Sequence, residues 1–128
     1  MEKIGRILIV DDDETSIFLT RRLLNTLGIG SNVRTAHDGV GGLAILKDAL
    51  EKGELPQLIL VDINMHGMGG FAFLEELGKL RYVNLIDTKI VLLSGSQSPL
   101  DIELAERHLS ATLVQKPLTR DKLLSVLD

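Results

Sequence analysis

Short apolar runs alternate with longer amphipathic stretches along this chain. The run Ile7–Val10 is rich in β-branched residues and stops abruptly at acidic residues, which is typical of a buried β-strand. Similar short runs recur further along, and Pro56 introduces one of them. The pattern predicts strands at Ile7–Val10, Asn32–Ala36, Leu58–Val61, Ile90–Leu93 and Leu113–Gln115.

The stretches between these runs carry apolar residues at helical spacing. In the first stretch Ile17, Leu24 and Leu27 recur on one face, and Gly28 follows as a stop signal. Thr119 is a good N-cap for the last stretch. Helices are therefore predicted over Thr15–Leu27, Gly39–Lys52, Gly70–Leu80, Ser98 to about His108, and Thr119–Leu127.

The strict alternation of strands and helices indicates the fold class. A continuously apolar strand must be covered on both faces, so the sheet is parallel and lies between two layers of helices. Crossovers are right-handed, and ligands bind at the carboxyl ends of the strands. We predict one α/β domain over residues 1–128, with a doubly wound five-stranded parallel sheet and five helices.

The composition is that of a globular domain and excludes several classes of protein. Of the 128 residues, 45% are hydrophobic and 25% are charged, unlike a disordered chain. No apolar run exceeds four residues, so no membrane span is expected. The first residues lack the apolar stretch of a signal peptide, and we expect a cytoplasmic protein. Cysteine is absent, which excludes disulfides and thiolate chemistry.

The charge distribution argues against nucleic acid as a partner. The formal net charge is −4, and Arg21–Arg22 is the only adjacent basic pair. A nucleic-acid-binding domain usually has a basic face. Aromatic residues make up 3% of the chain and Trp is absent, so surfaces that stack on bases are not expected.

Polar side chains follow four of the five predicted strands. Because the carboxyl ends of parallel strands meet at one rim of the sheet, these side chains are expected to share a cleft. There they would form a carboxylate cluster with one hydroxyl and one ammonium group. The residues are Asp11, Asp12 and Asp13 after the first strand, Asp62 after the third, Ser94 after the fourth and Lys116 after the fifth.

The charges at this rim favour phosphoryl chemistry. Asp11, Asp12 and Asp62 would repel one another, and a hard divalent cation such as Mg²⁺ relieves that repulsion. Lys116 supplies a point charge for a phosphate oxygen, and Ser94 supplies a hydrogen-bond donor. Positioning and charge neutralisation carry most of the rate of phosphoryl transfer, and the nucleophile here would be a carboxylate.

These residues resemble the signature of CheY-like receiver domains, the response regulator domains of two-component signalling. The acidic pair Asp11–Asp12, the phosphoacceptor Asp62, Ser94 and the pair Lys116–Pro117 match that signature. The resemblance covers essentially the whole chain. It implies a flavodoxin-like sheet of strand order 2-1-3-4-5 and a cis peptide bond between Lys116 and Pro117.

The resemblance also implies a metal site and a function. Mg²⁺ is expected to be held by the carboxylates of Asp12 and Asp62 and the backbone carbonyl of Asn64, with Asp11 acting mainly through water. A sensor histidine kinase or a histidine phosphotransfer protein is expected to phosphorylate Asp62 and so switch a surface for a downstream protein effector. Such a chain is a self-phosphorylating and self-dephosphorylating switch rather than a turnover enzyme.

Two positions depart from the family pattern. His66 stands where the family usually has a proline after Met65, and we expect it to loosen the loop together with the glycines that follow. Leu113 replaces the aromatic residue at the family's switch position, three residues before Lys116. The phosphorylation chemistry is expected to survive both changes. The family's usual conformational signal, which uses an aromatic side chain at the switch position, has no aromatic residue here.

Further roles follow from the resemblance. Asn64 and Ser96 would tune the lifetime of the phosphoaspartate, and the small Gly95 would leave room for the phosphoryl group. A partner kinase would dock on the first predicted helix, close to the rim, although an ordinary exposed leucine is an almost equally good interpretation of Leu19. The docking residues are Thr15, Ser16 and Leu19.

Two other functions stay open. Residues 11–15 also fit the Asp-x-Asp-x-Thr pattern of haloacid-dehalogenase-type phosphatases, with Asp11 as the nucleophile and Asp13 as the general acid. That alternative lacks an acidic pair after Lys116 and leaves Asp62 unexplained. The other alternative is a degenerate receiver that acts only as a platform for protein interaction.

Several polar residues have an ordinary structural interpretation. Asp13 and Glu14 favour the start of a helix through capping and the helix dipole. His37, His66 and His108 share no metal-ligand spacing and are interpreted as surface or loop residues.

Overall fold

The computed structural model describes residues 4–79, 88–95, 98–107 and 111–127. Strands and helices alternate strictly along these ranges. The strands are β1 (Arg6–Val10), β2 (Asn32–Ala36), β3 (Leu58–Asp62), β4 (Lys89–Ser94) and β5 (Ala111–Gln115). The helices are α1 (Glu14–Thr26), α2 (Gly39–Lys52), α3 (Gly70–Gly78), α4 (Pro99–Glu106) and α5 (Arg120–Leu127).

The five strands form one parallel sheet in the order β2-β1-β3-β4-β5. This order confirms the predicted flavodoxin-like, doubly wound α/β fold. The order reverses between β1 and β3, which are hydrogen-bonded neighbours with Val10 opposite Val61. Because a ligand cleft forms at such a switch point, the carboxyl ends of these two strands are where a site is expected.

The two faces of the sheet are covered by different helices. On one face Val61 packs with residues of α2, α3 and α4, among them Leu46 and Phe73. On the other face Leu60 packs with residues of α1 and α5, among them Leu123. All five side chains are fully buried, and burial of such a side chain stabilises the fold by about 1.5–3 kcal/mol. Double-sided burial explains why the central strands β1, β3 and β4 carry continuous apolar runs.

Side-chain caps define where the helices begin. Asp13 Oδ1 accepts a hydrogen bond of 3.1 Å from the Thr15 amide, so α1 starts at Glu14, one residue before the predicted start. Asp38 Oδ1 accepts one of 2.7 Å from the Gly41 amide at the start of α2. These bonds satisfy amide groups that have no partner within the helix.

The strands are longer than their apolar runs. β3 and β4 continue through Asp62 and Ser94, which keep their places in the ladder opposite Leu93 and Gln115. Polar residues can end a strand in this way because pairing depends on the backbone rather than on the side chain. The predicted ends of the third and fourth helices, at Leu80 and His108, lie outside the described residues.

None of the helices in the described part of the chain has the length and apolarity needed to cross a membrane. The longest of them, α2, has 14 residues.

Candidate functional site

Three carboxylates meet where β1 and β3 end. Asp11 and Asp12 follow β1, and Asp62 is the last residue of the neighbouring strand β3. One carboxylate oxygen from each of the three lies within 4.8 Å of the other two. The structure therefore brings together three of the four acidic residues that the strand ends predicted to meet, whereas the carboxylate of the fourth, Asp13, caps α1.

Lys116 joins this cluster from β5. Its Nζ donates a hydrogen bond of 3.0 Å to Asp62 Oδ2 and lies 3.6 Å from Asp11 Oδ2. Its backbone amide donates to the carbonyl of Ser94 at 2.7 Å, and its peptide bond to Pro117 is cis, as the resemblance implies. The amine thus pairs with two of the three carboxylates.

Burial sets the acidity of the phosphoacceptor candidate. Asp62 is only 5% exposed. Burial raises the pKa of Asp62 above its ordinary 3.8, and the charge of Asp11 adds to this effect. Burial would lower the pKa of Lys116, but its hydrogen bond to Asp62 and the charge of Asp11 raise the pKa above its ordinary value. The ammonium group therefore stays charged beside the two carboxylates.

The backbone after Asp62 curls around its carboxylate. Asp62 Oδ1 accepts a hydrogen bond of 2.9 Å from the amide of Asn64. Ser94, fully buried at the end of β4, lies one residue beyond Leu93, the partner of Asp62 in the ladder. A Cβ at Gly95 would meet no atom of the described residues within 4 Å. The hydroxyl of Ser94 and the open space at Gly95 thus belong to the strand end beside Asp62.

Asp12 has a partner that the sequence did not indicate. Asp12 Oδ2 accepts two hydrogen bonds from His66, one from the amide at 2.9 Å and one from ring Nδ1 at 2.8 Å. These amide and ring hydrogen bonds lower the pKa of Asp12 below 3.8. No signal in the sequence links the two residues, because they are 54 positions apart. The interpretation of His66 as an ordinary loop residue missed this contact.

The loop between β3 and α3 is tighter than expected. A Cβ at Gly70 would lie 2.8 Å from Ile63 Cα, and one at Gly69 would lie 2.9 Å from the Ile63 carbonyl oxygen. Glycine therefore lets the loop pack closely on its own beginning. Of the three glycines in this loop segment, Gly67, Gly69 and Gly70, only Gly67 has a left-handed φ, of 76°. The expectation that these glycines relax the loop is wrong for Gly69 and Gly70.

The remaining predicted positions lie around this cluster. Leu113 is half-buried in β5 opposite Leu92, and it packs against the core. Ser96 lies outside the described residues. His37 Nε2 forms a hydrogen bond with the carboxylate of Glu14, which links the loop before α2 to the start of α1.

The predicted docking residues lie on the first turns of α1. Thr15 and Leu19 are exposed, Leu19 by 55%, whereas Ser16 is half-buried. The neighbouring Phe18 is 62% exposed, although it is not among the predicted docking residues. Its position off the Ile17 core stripe is the signal that could have identified it.

The arrangement can hold a hard cation and an anionic ligand. Its donors are carboxylate oxygens, the ligands that Mg²⁺ takes in proteins, and Lys116 offers a positive charge beside them. Asp13, which the phosphatase alternative needs as a general acid, uses its carboxylate to cap α1. The cluster therefore fits Mg²⁺-assisted chemistry at Asp62 better than chemistry that starts at Asp11.

Comparison with known proteins gives the family. The model of the response regulator receiver domain matches residues 7–128. Chemotaxis protein CheY-3 of Vibrio cholerae is 30% identical over 128 residues, which cover 100% of this chain and 92% of that protein. The crystal structure of a two-component response regulator from Cytophaga hutchinsonii superposes with a TM-score of 0.91 at 26% identity, covering 98% of this chain and 96% of that one.

Other curated relatives are longer proteins. The transcriptional regulatory protein CpxR of Klebsiella pneumoniae is 34% identical over 97 residues, which are 76% of this chain but 36% of that protein. The match to the sensory/regulatory protein RpfC of Xanthomonas campestris covers 95% of this chain but 16% of that protein. The matched part of this chain thus covers at most a little more than a third of the length of either relative. The fold and the match over residues 7–128 establish that this chain belongs to the response regulator receiver domain family of two-component signalling.

Proposed function

We propose that residues 1–128 form one receiver domain in which Asp62 accepts a phosphoryl group from a sensor histidine kinase or a histidine phosphotransfer protein. The observation that carries this proposal is the placement of Asp62, buried at the end of β3 with Lys116 Nζ 3.0 Å from its carboxylate and two further acids beside it. The family is one of signalling switches, and we propose a switch rather than a turnover enzyme here.

The transfer is a displacement at phosphorus. A carboxylate oxygen of Asp62 attacks the phosphorus atom, and the bond from phosphorus to the donor's imidazole nitrogen breaks. The electron pair of that bond stays on the leaving nitrogen, which takes up a proton. Lys116 stabilises the charge on the phosphoryl oxygens, and Ser94 donates a hydrogen bond to one of them.

Mg²⁺ is the cofactor of this proposal. Asp12 and Asp62 would hold it with their carboxylates and Asn64 with its backbone carbonyl, while Asp11 would act through water. When bound, Mg²⁺ neutralises charge on the phosphoryl oxygens. The mutual proximity of the three carboxylates supports this assignment, since their repulsion favours a cation.

The partner surfaces are also proposals. The exposed side chains of Thr15 and Leu19, with Ser16, form the docking site for the phosphodonor protein close to the rim. A downstream protein effector reads the phosphorylated state, with Leu113 in place of the usual aromatic switch residue. The cytoplasmic location and the absence of direct nucleic-acid binding stay predictions, as do the tuning roles of Gly95 and Ser96.

Phosphorylation of the intact chain tests the proposal. The chain is incubated with phosphoramidate and Mg²⁺, and its intact mass is measured. We expect one added phosphoryl group in the wild type and none in Asp62→Asn. Asp13→Asn is the matched control, because asparagine is also a good N-cap, and it should be labelled like the wild type.

The same experiment separates the alternatives. An adduct that persists in Asp62→Asn would place the acceptor elsewhere. No adduct in the wild type, even at high phosphodonor concentration, would favour a degenerate receiver that acts only by protein interaction.

A further inference from the structure

The most accessible carboxylate of the cluster is already engaged by a side chain of the β3–α3 loop. Asp11 and Asp62 are buried, whereas the Asp12 side chain is 23% exposed. Its Oδ2 accepts the two hydrogen bonds from His66, one from the ring and one from the amide. The ring itself is fully exposed, so the contact with Asp12 is what places it at the rim.

The loop that carries His66 is held in place by the residues that follow His66. Met68 lies over the first residue of α2, because a Cβ at Gly39 would come within 2.6 Å of Met68 Sδ. After it, Gly69 and Gly70 pack closely on Ile63. The backbone of this loop is therefore held near Asp12, and the ring reaches the carboxylate without rearrangement of the loop.

We propose that the His66 ring competes with Mg²⁺ for Asp12 and so weakens the affinity of the site for the cation. The inference rests on the proposed function, in which Asp12 is a ligand. The ring N–H occupies Asp12 Oδ2, so this oxygen becomes fully available to a cation only when the ring has left. A neutral imidazole with a proton on Nδ1 is sufficient for this competition, because it already donates the hydrogen bond.

The ring is not a substitute ligand for this cation. Mg²⁺ prefers oxygen ligands and keeps several of its waters, whereas imidazole suits softer metals. Loss of the ring hydrogen bond is therefore a cost of Mg²⁺ binding that a smaller side chain at position 66 would remove. The amide hydrogen bond of residue 66 remains in such a variant, so the gain is limited to the contribution of the ring.

Mg²⁺ titrations of the full chain test this inference without any phosphorylation step. The dissociation constant for Mg²⁺ is measured by NMR chemical-shift titration for the wild type, His66→Ala, His66→Asn and His37→Ala. We expect His66→Ala to bind Mg²⁺ about threefold to tenfold more tightly, as loss of one exposed charge-assisted hydrogen bond implies. His66→Asn should stay near the wild type, because its amide N–H can replace that of the ring.

His37→Ala is the matched control. His37 is also exposed and also paired with a carboxylate, that of Glu14. Glu14 is not one of the three clustered carboxylates. Its removal should leave the affinity for Mg²⁺ unchanged. Equal tightening in both alanine variants would overturn the inference, because it would reflect a general effect of losing a histidine.

Three further outcomes would also overturn the inference. Equal affinity in the wild type and His66→Ala would mean that the ring does not compete. Weaker binding by His66→Ala would make the ring a contributor to the site. If no form binds Mg²⁺, both this inference and the metal site of the proposed function fail, whereas the first two outcomes leave that site intact.

Discussion

The inner and outer parts of the carboxylate cluster behave in opposite ways. The inner part consists of the buried carboxylates of Asp11 and Asp62 with the half-buried Lys116, and burial raises the pKa of Asp62. The outer part, Asp12 and His66, lies at the exposed rim, and the hydrogen bonds from His66 lower the pKa of Asp12. The surroundings thus shift the pKa values of two neighbouring aspartates in opposite directions.

This difference indicates different chemical roles for the inner and outer parts. A buried carboxylate paired with a lysine suits a group that must be held in one place to react, as proposed for Asp62. A half-buried carboxylate with a replaceable partner suits a group that exchanges ligands, as proposed for Asp12. The following substitutions test this distinction.

The largest effect is expected from removal of the ammonium group of the inner part. Lys116→Met should slow labelling of Asp62 by phosphoramidate about 100-fold, the typical loss when one charge-stabilising group is removed from an active site. Initial labelling rates from intact mass provide the measurement. Lys79→Met, which removes only an exposed pair with Glu76, should label at the wild-type rate. Similar rates for both variants would contradict the role proposed for Lys116.

The loop that connects the two parts should be sensitive to one methyl group. Gly70→Ala places a Cβ 2.8 Å from Ile63 Cα and 3.0 Å from the Asp62 carbonyl oxygen, both backbone atoms. We expect it to lower the free energy of unfolding by about 1–3 kcal/mol, as in an overpacked core.

Gly78 in the same helix is the control for this change. Among the residues that the structure describes, none has an atom within 4 Å of a Cβ placed at Gly78. Gly78→Ala should therefore leave stability unchanged or raise it by up to about 1 kcal/mol, because alanine favours the helix. Urea denaturation of both variants provides the comparison, and equal destabilisation would refute the close packing of the loop on Ile63.

Removing the buried charge of the inner part should stabilise the fold at neutral pH. The raised pKa of Asp62 means that the native state binds its proton more tightly than the unfolded chain does. Stability is therefore lost as the pH rises from the ordinary value of 3.8 through the raised pKa, and the loss is complete above it. Asp62→Asn should raise Tm by about 2–6 °C at pH 7.

The pH dependence provides the check on that prediction. The difference in Tm between Asp62→Asn and the wild type should shrink as the pH falls through the raised pKa of Asp62 towards 3.8, because the wild-type carboxyl group becomes protonated over that range. A difference in Tm that stays constant between about pH 4 and pH 7 would show that burial of the charge does not cause it.

The smallest effect is expected in the outer part. His66→Ala should raise the pKa of Asp12 part of the way back to 3.8, since the ring hydrogen bond is lost while the amide hydrogen bond is retained. Carbon-detected NMR of the carboxyl groups measures this shift. Asp48, whose pKa is lowered by Lys52 and Arg34, is the internal reference and should not move. An unchanged pKa of Asp12 would mean that the ring contact is not maintained in solution.

The fold and the inner part of the site were predictable because they depend on local patterns and a general rule of topology. The apolar runs located all five strands, and the rule that parallel strands end at one rim brought Asp11, Asp62 and Lys116 together. The extra residues at the strand ends, such as Ala111 in β5, were not predictable, because they follow from pairing with Ile90 rather than from their own hydrophobicity.

The outer part was not predictable for a different reason. Its contact joins residues 54 positions apart through a loop whose path depends on close packing of Gly69 and Gly70 against Ile63. In the sequence the same glycines indicated a loose loop. Glycine permits both flexibility and close approach, and only the neighbours in space decide between them.

The sequence by itself determined the α/β class, the alternation of elements and the identity of the polar groups at the rim. These features depend on side-chain periodicity and on strand ends, which are properties of short segments. The tertiary structure determines which carboxylates are buried beside Lys116 and which one is half-buried beside His66. That distinction depends on burial and on hydrogen bonds between distant segments, and these exist only once the chain has folded.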